Sequence, residues 1–349
     1  MAANRDAAHQ KPLNLVEIAK LAGSSKSAVS RVIQNQSGVA PEVRARIQHI
    51  IRVHHYRPSL FGRGLKGSRT GLIGVLGRFM ESGFTAEVIR GIDDEVKKRG
   101  GHTLVSFAPG IEEYIAFWRS FVSGGQVDGV ILIAPPVDLF NQSVGPSDRP
   151  TILCAAEPPK KATSWQRAGA VTVDNRSAMD RLVHHLVIKG YKRLAHLAGQ
   201  PDIFDTQERV RCFEDAIRKH PGITGHVLQG AWTSELAREV VHEHLETHGT
   251  WPDAFLAFND AIALGTLQTL QAMKIAVPDR IGVTGWDDIP FSDYAGLTTI
   301  HLPMHEMGIK TAEILYRLLE GKAGDLHAAR RAKLEMPLKA RRTTAREHS

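Results

Sequence analysis

Near residue 70 the hydrophobic pattern of the chain changes its period, and this change constrains the architecture more than any other feature. Downstream of it, short apolar runs alternate with amphipathic stretches. Strands are expected at 72–76, 102–107, 129–133 and 151–154, with helices at 86–99 and 114–123. A second series places strands at 170–173, 193–197, 225–228, 254–257 and 281–285, with a helix at 176–189 and further helices between the strands. Strand-helix-strand order builds parallel sheets, because parallel neighbours need a crossover long enough to hold a helix. Two α/β lobes are therefore expected, with a ligand site beyond the carboxyl ends of their strands. The chain has 349 residues, enough for two or three domains of about 100–150 residues each, so the segment before residue 70 is read as a domain of its own.

In that segment the period is helical. Leu15, Ile18, Ala19 and Ala22 share one helical face, with Asn14 placed to cap it. Gly23-Ser24 breaks the pattern, and Ser25 can cap a second helix that turns Ala28, Val29 and Val32 inward. After a loop containing Gly38, Pro41 suits the first turn of a third helix carrying Val43, Ile47, Ile50 and Ile51. The product is an all-α helix-turn-helix domain. Charge agrees with this: residues 1–70 hold twelve Lys or Arg against three Asp or Glu, whereas the whole chain is only +7, leaving the remainder at −2. So lopsided a distribution points to a polyanionic partner. In such a domain the second helix enters the major groove, where Lys and Arg suit guanine edges or phosphates and Ser suits several bases. Ser25, Lys26, Ser27, Ser30 and Arg31 are the DNA-contact candidates.

The segments LVEIAKLAGSSKSAVSRVI, VAPEVRARI and HHYRPSLFGRGLKGSRTGLIGV resemble the start of the LacI/GalR family of bacterial transcription regulators. Later segments are similar to the effector domain of the same family, among them AEVIRGID, VDGVILI, ERVRCFEDAI, FNDAIALGTLQTL, VPDRIGVTGWDD and LTTIHLP, so the resemblance covers roughly residues 13–340. It implies a helix-turn-helix domain at 13–58, a hinge helix and linker at 59–69, a two-lobed periplasmic-binding-protein-like effector and dimerisation domain at 70–340, and a tail at 341–349. It also implies a homodimeric repressor on a near-palindromic double-stranded DNA operator. In the hinge, Leu65 would wedge into the minor groove with Lys66 beside it, bending the DNA. The cleft residues carried over are Arg78, Phe84, Arg209, Trp232, Asn259 and Asp287, a set suited to a small carbohydrate-type effector. A mutual ion pair is the alternative role for Arg209 and Asp287.

The chain departs from the family pattern in places that carry expectations. Ser24 replaces a small apolar residue beneath the turn, suggesting a looser turn, and Ala40 removes the usual cap of the third helix. Gly62 and Gly64 inside the hinge each cost about 1 kcal/mol relative to Ala, so the hinge is expected to fold only on operator. Ala155 stands where an Asp is common and Arg78 where small or polar residues are frequent. Both changes favour an anionic effector, such as a sugar acid or sugar phosphate.

Other chemistries find little support. The string Gly62-Arg63-Gly64-Leu65-Lys66-Gly67 fits a dinucleotide-binding turn, but it precedes a strand instead of following one. No nucleophile elbow, His-Glu-x-x-His helix or Gly-x4-Gly-Lys loop occurs in the sequence, so no catalytic set, cofactor or metal is expected. His301 and His305 are separated by Pro303 and read as a solvated loop, and Asp287-Asp288 as a ligand contact beside a structural acid. Cys154 and Cys212 read as buried and inert. No apolar run approaches the roughly 20 residues of a membrane span and the start lacks an apolar signal segment, so a cytoplasmic protein, on the nucleoid when bound to operator, is expected. The end of the chain holds no leucine heptad, which favours a dimer over a tetramer. The rival readings are a solute-binding protein, which shares the two-lobed plan, and an α/β sugar-modifying enzyme.

Overall fold

The structure, a computed structural model, describes residues 13–33, 36–54, 69–79, 83–141, 145–146, 149–321 and 330–346. It divides into two compact units, with the boundary after Thr70.

The first unit is built from α1 (Leu15–Leu21), α2 (Lys26–Ile33) and α3 (Pro41–Val53). Asn14 caps α1 by accepting from the backbone of Val16 at 2.9 Å and Glu17 at 3.1 Å, while the Glu17 carboxylate accepts from the Asn14 backbone at 2.6 Å. This reciprocal box satisfies donors that the first helical turn leaves open. The turn after α1 is tighter than the Ser24 substitution led us to expect. Gly23 adopts φ +53°, and the Ser24 and Gly23 amides return to the carbonyls of Ala19 and Lys20 at 2.9 and 3.2 Å. That closure is a Schellman motif, which depends on the glycine and on backbone groups alone. Ser25 caps α2 through the Ala28 amide at 3.1 Å, whereas Ala40 gives α3 no side-chain cap. Ile18, Ala19, Ala22, Val29, Val32 and Ile47 form the core of this unit.

Among the described residues the second unit holds two six-stranded sheets. In the first, β1 (Leu72–Gly77) pairs in parallel with β2 (His102–Phe107) and β3 (Gly129–Ile133), and the sheet continues through β4 (Thr151–Cys154), β5 (Gly169–Val173) and β11 (Arg331–Leu334). In the second, β6 (Arg193–Leu197) pairs in parallel with β7 (Thr224–Leu228) and β8 (Ala254–Ala257), followed by β9 (Gly282–Asp287), β10 (Thr298–His301) and an antiparallel edge, β12 (Leu338–Lys339). The helices are α4 (Gly83–Lys98), α5 (Ile111–Ser123), α6 (Asn175–Ile188), α7 (Phe204–Arg218), α8 (Ser234–Thr247), α9 (Asp260–Ala272), α10 (Pro290–Ala295) and α11 (Met304–Leu319).

The two lobes are not consecutive halves of the chain. After β10 the chain leaves the second sheet, α11 packs against α4, β11 joins the first sheet, and β12 returns to the second. The close α4–α11 crossing needs Gly91 and Gly308: a Cβ on either would collide with the backbone carbonyl of His305 or of Val88. Here the loop reading of His301 and His305 is corrected. His301 ends β10, His305 lies in α11, and Pro303 starts that helix as its N-cap residue, a position where its missing N–H costs nothing. Both cysteines are buried, and burial pushes the Cys154 thiol to about 12 and the Cys212 thiol to about 11. Among the described residues no helix is long and apolar enough to cross a membrane.

Candidate nucleic-acid face and ligand cleft

On α2 the inward side is occupied by Val29 and Val32, and the helical period places polar residues on the other side. Ser25, Lys26, Ser27 and Arg31 are exposed and Ser30 is half-buried. The Ser25 hydroxyl is engaged twice, as the helix cap and with the Ser27 hydroxyl at 2.8 Å, so Ser25 shapes the end of the helix as well as its surface. Leu65, Lys66, Gly62 and Gly64 lie outside the described residues, as does the expected hinge up to residue 68.

In the second unit, a cleft of about 550 Å³ opens at the carboxyl ends of the strands. All six cleft candidates line it, and each reaches it from a different place. Arg78 follows β1, Phe84 begins α4, Arg209 lies on α7, Trp232 precedes α8, Asn259 caps α9 and Asp287 ends β9. Such convergence follows from parallel strands, whose outgoing loops all gather at one edge.

Arg209 is held almost completely by protein. Its guanidinium lies 4.5 Å from the Phe258 ring centre and 4.4 Å from that of Trp286, and it is 3% exposed. Nη1 donates to the Phe258 carbonyl at 2.6 Å, Nε donates to Asn175 Oδ1 at 3.3 Å, and Nη2 lies 3.8 Å from Asp205. Asn175 donates to Asp205 at 2.9 Å, closing a triangle that fixes the arginine in one orientation. Burial raises the Asp205 pKa and lowers that of Arg209, and each charge opposes the shift of the other. The ion partner of Arg209 is therefore Asp205 and not Asp287. The Asp287 carboxyl is pushed well above its ordinary range by burial, against the pull of Arg209.

Asp287 and Asp288 adopt φ +121° and +60°, conformations that cost a non-glycine residue about 1–3 kcal/mol each. The surroundings hold them there. Asp288 accepts from Arg341 at 2.8 Å and from His301 Nδ1 at 3.0 Å, which makes it the structural acid of the pair. Asp260 accepts from the Ile289 amide at 2.9 Å and from the Ser292 and Thr299 hydroxyls at 2.6 Å each. Asn259 uses Oδ1 to cap α9 through the Ile262 amide at 2.9 Å, so its amide N–H groups remain as donors.

Two residues bear on the expected anionic ligand. Arg78 does not point freely into the cleft: Nη1 lies 2.9 Å from Asp202. Ala155 is buried in the core and is not part of the lining. Sequence reasoning missed Asp202 and Asp260, whose partners are distant in the chain, and also Asp205, although its ion partner Arg209 lies four residues away on the same helix. Among the described residues no group of three or more His, Cys, Asp or Glu is arranged to hold a metal ion.

Comparison with known proteins follows the same division. Residues 14–59 match the family described as bacterial regulatory proteins, lacI family, and residues 183–344 match the periplasmic binding protein-like domain. The chain is 28% identical over 314 residues to the HTH-type transcriptional repressor PurR of Vibrio parahaemolyticus serotype O3:K6 (strain RIMD 2210633), covering 88% of this chain and 92% of that protein. It is 27% identical over 308 residues to the ribose operon repressor of Escherichia coli (strain K12), covering 86% and 91%. Among solved structures, the lac repressor dimer bound to operator and the anti-inducer ONPF superposes with a TM-score of 0.83 at 23% identity, covering 96% of this chain and 99% of that one.

Proposed function

We propose that the chain is a DNA-binding transcriptional repressor of the LacI family with a ligand-binding unit, and that its ligand is an uncharged, sugar-type polyol. The observation that carries this reading is the cleft: a donor-and-acceptor set, Arg209, Asn259 and Asp287, beside the rings of Phe84, Phe258 and Trp232. Aromatic faces suit the apolar face of a sugar ring, and the polar groups suit its hydroxyls. The charges offer no surplus for an anion, since Arg78 is paired with Asp202 and Arg209 with Asp205. That one relative is named for the ribose operon agrees with the carbohydrate class.

In this reading Ser25, Lys26, Ser27, Ser30 and Arg31 contact operator DNA through α2. Residues 59–69 act as the hinge, with Leu65 wedging the minor groove and Lys66 on the backbone. Residues 70–340 bind effector and dimerise. A near-palindromic operator requires a two-fold symmetric protein. The exposed aromatics on α10, Phe291 at 69% and Tyr294 at 86%, are suited to such a self-interface. Effector in the cleft changes the closure of the lobes and shifts operator affinity through a coupling of about 1–3 kcal/mol.

The test is fluorescence anisotropy with DNA from upstream of the chain's own gene, against scrambled DNA, over a range of salt. Specific binding should be nanomolar and weaken steeply with salt, and replacing Lys26 and Arg31 by Ala should weaken it. Equal affinity for the scrambled DNA contradicts the assignment of α2.

A further inference from the structure

One edge of the cleft is bridged by a charge pair that joins the two lobes. Arg78 follows β1 of the first sheet, and Asp202 lies in the loop between β6 and α7 of the second. Their atoms Nη1 and Oδ2 are 2.9 Å apart. The same loop is fastened to the first lobe at two more points: the Val137 amide donates to the Asp202 carbonyl at 2.9 Å, and Pro136 and Ile203 form an isolated antiparallel bridge. Arg78 is fixed from its own side as well, with Nη2 donating to the Pro109 carbonyl at 3.2 Å and the guanidinium 5.0 Å from the Phe79 ring centre. The Arg78 side chain is 10% exposed and that of Asp202 36%.

Three buried atoms here have no hydrogen-bond partner among the described residues: Nε and Nη1 of Arg78, whose contact with Asp202 is an ion pair without hydrogen-bond alignment, and Oε1 of Gln200; both residues line the cleft. A hydroxyl group suits either kind of atom, since it can both accept and donate, whereas an ionised carboxylate can only accept. An arginine in a cleft ordinarily selects anions. Here its charge is balanced by a carboxylate belonging to the opposite lobe and held there by its own backbone. A phosphate or carboxylate approaching Arg78 meets the repulsion of Asp202 together with the attraction of the guanidinium. A neutral hydroxyl meets no such penalty.

We infer that Asp202 is a specificity-determining residue, whose pairing with Arg78 makes the cleft turn away anions and admit uncharged polyols. The inference rests on the cleft being the effector site. It requires that removing one negative charge, with the shape preserved, open the cleft to anions.

The experiment titrates inorganic phosphate into the full chain, into Asp202→Asn and into Asp202→Asn with Arg78→Gln, read by tryptophan fluorescence, since Trp232 lines the cleft and Trp286 stacks on Arg209. Asn keeps the volume of Asp, and Asp202→Ser serves if the Asn variant does not fold. The Asp202→Asn chain should bind phosphate at least about tenfold more tightly than the natural chain, and the gain should vanish when Arg78 is also replaced. Equal phosphate affinity in the natural and Asp202→Asn chains, or a gain that persists without Arg78, overturns the assignment. Operator binding by the natural chain is measured in parallel with a panel of neutral sugars. If no sugar moves it while the phosphate result holds, the effector reading fails and the charge selectivity of Asp202 stands.

Discussion

The helical unit and the two-lobed unit solve opposite problems. Among the described residues the first has a core of six buried hydrophobic residues, and its proposed DNA contacts lie on the outside of one eight-residue helix. Among the described residues the second has large cores, and its proposed effector contacts lie in a cleft assembled from strand ends far apart in the chain. A surface function asks only that the helix exist, so its stability depends on caps and a few apolar contacts. A cleft function asks that distant loops be held in strained positions, as Asp287 and Asp288 are, and that needs a larger and stiffer body.

The strongest test of this contrast is Ile47→Ala, which empties the centre of the small core. The loss is about 2–5 kcal/mol, comparable with the stability of so small a unit. Operator binding should disappear while the two-lobed unit melts at an unchanged temperature, and calorimetry resolves the two. If the large unit's transition moves as well, the units do not fold independently.

Next is Asp287→Asn, which keeps shape and removes an ionisable oxygen from the cleft. It should weaken effector binding about 30-fold, roughly 2 kcal/mol, and leave effector-free operator affinity unchanged. Titration calorimetry and anisotropy on the same preparation separate the two effects.

Acid should act mainly on the large unit. Burial holds His196 neutral and lowers its pKa from 6.5 to about 4, and its Nδ1–H donates to the Leu256 carbonyl at 2.9 Å. Below pH 6.5 the unfolded chain takes up a proton that the folded chain refuses until about pH 4, so stability falls as pH falls through that window. The limit is about 1.4 kcal/mol per pH unit, and His244, also lowered to about 4, adds in the same direction. Because the raised carboxyls of Asp205 and Asp287 act with the opposite sign, the histidine contribution is read as a difference: in melting at pH 7.5, 6.5, 5.5 and 4.5 the natural chain should lose stability relative to His196→Gln as pH falls.

The smallest change expected is a gain. Ala40→Ser supplies the missing cap of α3 and should stabilise the helical unit by about 0.5–2 kcal/mol, raising its transition alone.

The same contrast explains what was legible in the sequence. The three short helices, the Asn14 and Ser25 caps and the Pro41 start were readable because each depends on neighbours within four residues. Most strands of the two sheets showed as apolar runs because parallel strands are covered on both faces. The tight turn at Ser24 was misjudged, since a Schellman motif is made by glycine and backbone and does not need the side chain that differs. β10 was not anticipated, and β11 and β12 were missed because they are short edge strands whose partners lie more than 30 residues away. The six cleft residues were placed by resemblance to a family, not by periodicity. The pairs that fix the cleft, Arg78 with Asp202 and Arg341 with Asp288, join residues 124 and 53 apart, and no local pattern records them.

The central claim is that occupation of the cleft sets the affinity of α2 for DNA. It is tested most directly by measuring operator affinity of the intact chain with and without each neutral sugar of a panel, then effector affinity with and without operator. The account predicts at least one sugar that changes operator affinity by about fivefold or more, and a change in that sugar's own affinity by the same factor when operator is present, as linkage demands. A sugar that binds the cleft but leaves operator affinity untouched would contradict the account.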